Sequence, residues 1–164
     1  MKAAWPALII GFGAALDLAA KAWARAVLEP YGVATEFLPF VGLRLTFNHG
    51  VSFSLFSFDH DGGKLALLVF TGLLTLGLAV WVYKLPHGRE RLALSAVIAG
   101  ALANFLDRAM NGAVTDYLDL HFGNWHPFVF NLADVWISIG AALLLLCQVF
   151  NQKTDAIGRE KFVP

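Results

Sequence analysis

Residues 65–83 form a run of nineteen residues without a single charge. At about 1.5 Å per helical residue, such a run crosses roughly 30 Å of hydrocarbon, which predicts a membrane-spanning helix. Composition agrees with that reading. Of 164 residues, 58% are hydrophobic and 15% charged, with a mean hydropathy of +0.64, whereas soluble domains carry about 45–50% apolar and about 25% charged residues. A disordered chain is excluded and a soluble globule is disfavoured. The length suits one domain. Twelve Lys and Arg balance twelve Asp and Glu, which leaves no broad basic surface to displace counterions from nucleic acid. Cys147 is the single cysteine, so the chain has no internal disulfide and no Cys cluster for a metal; it reads as a small packing residue.

Three further apolar stretches reach crossing length only by taking in polar groups. The last, 128–150, holds Asn131 and Asp134 near its start; the third ends in Asn104, Asp107 and Arg108; the first must include Asp17 and Lys21. The spans are expected at about 4–25, 65–84, 91–108 and 128–150. Lys2 before an apolar run, with Ala20, Ala22 and Ala24 behind it, imitates a cleaved signal peptide, but Asp17 interrupts the apolar region such a signal needs. An even number of helices puts both ends on one side. Seven basic residues (Lys2, Lys84, Arg89, Arg91, Lys153, Arg159 and Lys161) lie there, against Lys21, Arg25, Arg44, Lys64 and Arg108 on the other. The bias favours cytoplasmic termini. The loops of about 23–63 and 109–127 then face outward, and every helix-end carboxylate lies on that outward side.

In the first outward loop, Val33, Phe37, Val41, Leu43, Leu45 and Phe47 give partial period-two alternation, predicting a short sheet. Residues 50–58 are small and aromatic, as suits the headgroup level, and Trp125 and His126 suit the same level in the second loop. The aromatics of 53–58 are expected to close over a bound substrate. There is no internal repeat and no linker.

The polar residues fall into groups at helical spacing. Asp17 and Lys21 are four apart and form a possible ion pair on one helix face. Asn104, Asp107 and Arg108 share a face, with Gly100 one turn earlier; an internal Asp107–Arg108 brace is the plain reading. Asn131, Asp134 and Ser138 form a polar stripe that must face the bundle interior or a wet cavity. Asp134 has no basic residue within a helical turn, and Asp116 precedes it by 18 residues, close enough in the chain to meet it where the chain re-enters the membrane. Two carboxylates sharing a partly desolvated site hold unequal protons and can activate a water, the chemistry of aspartyl peptide hydrolysis. From spacing alone, Asp134 reads equally as a proton relay, an ion site, or a partner of Arg108 or Lys21. A small proton or ion translocator using Asp17, Asp107 and Asp134 is therefore the rival class, although no ionisable residue stands at mid-bilayer to continue a path. Asp119 and His121 read as solvated loop residues. His49, His60, His87, His121 and His126 show no metal-ligand spacing, and no Ser or Cys sits with a His in a nucleophile motif.

Four blocks, in order, resemble the prolipoprotein signal peptidase family (signal peptidase type II), bacterial inner-membrane aspartyl proteases. Asp17-Leu18-Ala19-Ala20-Lys21 matches Asp-x-x-Thr/Ser-Lys, except that Ala20 replaces the usual hydroxyl. Asn48-His49-Gly50-Val51-Ser52-Phe53-Ser54 matches Asn-x-Gly-x-Ala/Ser-Phe-Ser throughout. Gly100, Asn104, Asp107, Arg108, Gly112, Val114, Asp116 and Tyr117 match the third block, with Tyr for Phe the sole change, and Phe130, Asn131, Ala133, Asp134, Ile137 and Gly140 match the fourth.

The resemblance implies an all-α integral membrane fold: a four-transmembrane-helix bundle with a small extracytoplasmic β platform at about 32–58 and a short extracytoplasmic loop or helix. It further implies that Asp116 and Asp134 are the catalytic dyad. Asn48, Gly50, Asn104, Arg108 and Asn131 would position substrate, with Asp17, Lys21 and Asp107 in support. The implied reaction removes the signal peptide just before a diacylglyceryl-modified cysteine, without metal or organic cofactor. The implied partners are the lipid-modified prolipoprotein, membrane phospholipids and a globomycin-type inhibitor, acting on a monomer in the bacterial inner membrane with its site near the outer face.

Overall fold

The computed structural model describes the backbone of residues 4–50, 61–86 and 88–160, and the side chains of 4–50, 62–86 and 88–150. Four long helices, α1 (Trp5–Val27), α2 (Asp61–Lys84), α3 (Arg89–Asn111) and α4 (Leu132–Glu160), are joined by four strands, β1 (Thr35–Leu38), β2 (Val41–Asn48), β3 (Val114–Phe122) and β4 (Trp125–Phe130). The strands make one antiparallel sheet in the order β1-β2-β3-β4. They follow the C-terminal ends of α1 and α3 and lead into the N-terminus of α4, so the sheet sits at one end of the bundle.

Each helix is long and apolar enough to cross a membrane, and the burial pattern is that of a chain in lipid. On α2, Leu65, Phe70, Leu73 and Leu76 are exposed, whereas Asp17, Lys21, Asp107 and Asn131 are fully buried. Polar groups turned inward and apolar groups outward are what a bilayer selects. The hydroxyls of Thr71 and Thr75 on α2 bond back to the carbonyls of Leu67 and Thr71 and so need no outside partner.

Helix α3 packs against the other three. Its contact with α4 is close because a Cβ on Gly100 would stand 2.2 Å from the Ala133 carbonyl oxygen, and one on Gly140 would stand 2.6 Å from that of Ala93. Small residues let membrane helices approach in this way. At the end of the bundle away from the sheet, buried Arg91 bonds the Val82 carbonyl at 3.0 Å. Its guanidinium lies 5.9 Å from the Trp5 ring and 5.7 Å from the Tyr83 ring, a cation–π arrangement joining three helices.

Two expectations about the second outward loop are corrected. Residues 114–130 are a β-hairpin rather than loop or helix, and the sheet it completes extends well beyond 32–58. The fourth helix starts at Leu132 rather than 128, because residues 128–130 belong to β4, where Leu118 pairs with Phe130 and Leu120 with Phe128. Alternating Phe128 and Phe130 suit a strand, and Asn131 then supplies a helix cap. The aromatic segment expected to close over substrate lies outside the described residues, and among the described residues there is no helix besides the four.

Candidate active site

The N-terminus of α4 organises the polar interior. Asn131 Oδ1 accepts the Asp134 N–H at 2.9 Å, while Asp134 Oδ2 accepts the Asn131 N–H at 3.2 Å. This reciprocal pair is a capping box built from Asn and Asp. The next free N–H, of Ala133, goes to Asp17 Oδ1 at 2.8 Å. The cap fixes Asn131 with its amide nitrogen free, and that Nδ2 donates to Asp116 Oδ1 at 2.6 Å. Asp116 and Asp134 are thus brought to the same amide from a strand and a helix.

Asp134 receives a second donor from α3, Asn104 Nδ2 to Oδ1 at 2.9 Å. An amide can be turned either way round, and here Lys21 decides it: Lys21 Nζ donates to Asn104 Oδ1 at 2.5 Å, leaving the nitrogen for Asp134. Lys21 also pairs with Asp17 Oδ2 at 2.8 Å, as the four-residue spacing predicts, and stands 3.7 Å from Asp107 Oδ2.

Asp107 is not braced by Arg108. It accepts from Arg25 Nη1 at 2.7 Å, from Asn111 Nδ2 at 2.9 Å and from the Thr115 backbone N–H at 2.7 Å. The physical reason is direction: Asp107 faces α1, whose Arg25 also reaches Thr115 Oγ1 at 2.6 Å, while Arg108 turns the other way and donates from Nη2 to the Gly50 carbonyl at 3.1 Å. Sequence reading passed over Arg25, although it follows Lys21 by four as Lys21 follows Asp17, and therefore lies on the same face.

These pairings leave an asymmetry. Both α1 cations are engaged by Asp17 and Asp107, and among the described residues neither Asp116 nor Asp134 forms an ion pair. They line a cleft of about 230 Å³ together with Asn48, Gly50, Asn104 and Arg108, walled by apolar Leu67, Leu74, Phe105 and Ile137. Asp116, on β3 and 5% exposed, has its carboxyl pushed up to about 7, first by burial and then by the charge of Asp134, with the Asn131 hydrogen bond, the charge of Lys21 and the Asn48 hydrogen bond opposing. Its neighbour Tyr117 is raised to about 12, again chiefly by burial.

Of the ten residues singled out from the sequence, Asn48, Gly50, Asn104, Arg108, Asp116 and Asp134 line this cleft; Asn131 and Lys21 bond lining residues directly, and Asp17 and Asp107 flank Lys21. Asp119 and His121 depart from expectation: they are strand residues of β3, and Asp119 is fully buried against His126, its Oδ2 lying 2.5 Å from Nδ1.

Fold and cleft define a class, a polytopic membrane protein whose polar interior gathers, at one end of a four-helix bundle, two carboxylates that form no ion pair among the described residues. Residues 9–150 match the signal peptidase (SPase) II family. Lipoprotein signal peptidase of Hydrogenovibrio crunogenus is 39% identical over 153 residues, covering 88% of this chain and 83% of that protein. The Brucella ovis protein of the same name is 37% identical over 128 residues, covering 77% and 79%. Two solved structures of bacterial membrane enzymes superpose with TM-scores of 0.78 and 0.73, at 22% and 25% identity, over 91% and 87% of this chain and 90% and 91% of theirs. The chain belongs to the signal peptidase II family and is a multi-pass membrane peptidase.

Proposed function

We propose that this peptidase is an intramembrane aspartic endopeptidase that removes the signal peptide from diacylglyceryl-modified prolipoproteins, cutting before the lipidated cysteine. The names of the relatives support the substrate. The observation that carries the mechanism is Asn131 joined to both Asp116 and Asp134 in a cleft where Lys21 and Arg25 of α1 are taken by other carboxylates and Arg108 is turned to the Gly50 carbonyl.

Roles follow from the bonds. Both oxygens of Asp134 accept N–H groups, from Asn104 and Asn131, so it serves as the base. Asp116 accepts Asn131 through Oδ1, and its carboxyl, raised to about 7, still carries a proton in a large share of molecules near neutral pH. A water between them gives a proton to Asp134 as its oxygen bonds to the scissile carbonyl carbon, while Asp116 delivers its proton to the carbonyl oxygen. The resulting gem-diol collapses: one hydroxyl returns its proton to Asp116, Asp134 protonates the leaving amine, and the C–N bond breaks. Both acids end as they began.

The greater number of basic residues at the termini and the α2–α3 connection supports cytoplasmic ends, with the sheet and cleft at the extracytoplasmic face of a bacterial inner membrane. A signal peptide is an apolar helix whose cleavage site, beside a lipid anchor, lies at that depth. The enzyme works as a monomer and is blocked by a globomycin-type inhibitor. Purified chain incubated with lipidated and unlipidated forms of one prolipoprotein tests the reading by gel shift and mass of the product. Cleavage of the lipidated form alone, at the bond before cysteine, is expected; equal cleavage of both would remove the lipid from the specificity.

A further inference from the structure

The β3–β4 hairpin carries a second polar cluster that the peptidase chemistry does not use. Asp119, His121 and His126 each place a ligand-type atom within 4.8 Å of the others. Their spacing in sequence hides this. Leu120 pairs with Phe128 and Phe122 with Trp125, so His121 alone opposes both His126 and Pro127. That bulge shifts the alternation of β4 and brings His126 to the face shared by Asp119 and His121. The imidazoles then stand with ring centroids 5.6 Å apart.

Two further observations point to a ligand. The Asp119 side chain is 0% exposed, yet its Oδ1 has no hydrogen-bond partner among the described residues; a buried carboxylate oxygen left in that state is destabilising unless something binds it. His121 Nδ1 lies 3.4 Å from the Asp119 carbonyl, the contact by which a backbone oxygen orients a metal-ligating imidazole and leaves Nε2 as the donor.

We propose that Asp119, His121 and His126 form a binding site for a divalent transition metal of the zinc class, set on the sheet and separate from the peptidase cleft. Two imidazoles and one carboxylate are the donor set such ions take, with a further position open to solvent beside partly exposed His126. Metal–nitrogen bonds of about 2.0–2.1 Å put two donors on one ion no more than roughly 4.2 Å apart, so a small ring rotation closes the set. The ion replaces the direct Asp119–His126 contact and clamps β3 to β4.

The test uses the full chain in detergent, stripped with chelator and free of any polyhistidine tag. Zn²⁺ is titrated calorimetrically and Co²⁺ by its visible d–d absorption. One equivalent is expected, with affinity lowered on the order of tenfold to a hundredfold in His121→Ala, His126→Gln and Asp119→Asn, unchanged in His87→Ala, and with a higher Tm for the loaded native chain. Absence of saturable binding, half an equivalent per chain, or equal affinity in the hairpin variants overturns the proposal. Should a variant fail to fold, the Co²⁺ spectrum of the native chain still decides, since a purely octahedral aquo-like spectrum contradicts imidazole ligation.

Discussion

Asn131 donates its amide to Asp116 at 2.6 Å while its own oxygen caps the helix on which Asp134 stands. One side chain thereby ties a strand carboxylate to a helix carboxylate. Aligning the pair requires only that α4 begin at the right residue, which the reciprocal Asn131–Asp134 cap ensures.

Asn131→Ala removes both functions together. Loss of the cap costs about 0.5–2 kcal/mol of stability, read as a lower Tm. Loss of the bond to Asp116 should lower kcat far more than that modest destabilisation explains, because Asp116 and Asp134 lose their alignment while the chain remains folded. Parallel kinetics and thermal unfolding check this; unchanged kcat would show that Asn131 only caps.

Asp116 gives the protein a pH signature. Its carboxyl is held at about 7 in the fold against an ordinary 3.8, so the native state binds more protons than the unfolded chain between those values. Stability from this group is complete below about pH 4 and is lost as pH rises through about 7. Asp116→Asn cannot ionise, so its Tm advantage over the native sequence should grow from pH 4 to 7 and then level off. Cleavage by the native enzyme should decline above pH 7 as the acid deprotonates.

Lys21→Met leaves Asp17 and Asp107 facing each other's region with one cation fewer and frees the Asn104 amide to turn. Breaking a buried pair in this way costs about 3–5 kcal/mol, so the variant should show a sharply reduced yield of folded protein in detergent. Asp17→Asn with Lys21→Met should recover part of that yield, without recovering activity.

Gly100→Ala puts a methyl 2.2 Å from the Ala133 carbonyl oxygen and forces α3 from α4, drawing Asn104 away from Asp134. Activity should fall strongly. Gly77→Ala is the control: beyond its own helix backbone, no atom of the described residues lies within 4 Å of a Cβ there, and replacing a helix-interior glycine gains about 0.5–1 kcal/mol.

Much of this was legible in the chain. An uncharged run of nineteen residues fixes α2 by length alone, and the Asp17–Lys21 spacing fixes an ion pair because the helix repeat does. What was hidden depends on how elements meet. Asp107 next to Arg108 in sequence suggests a brace, yet consecutive helix residues point apart, and only the seating of α1 on α3 delivers Arg25 and Lys21 to Asp107. Burial of Asp119 required a hairpin that Pro127, inside its second strand, disguised, and a bulge whose effect on side-chain facing no count of residues shows.

The most direct test of two acids sharing a water is cleavage of one lipid-modified prolipoprotein by the native chain, Asp116→Asn and Asp134→Asn, each first shown to be folded in detergent. Both variants are expected to leave the substrate uncut while keeping a cooperative thermal transition, in Asp116→Asn one no lower than the native chain's. Turnover by either folded variant at a rate near that of the native chain would contradict the account.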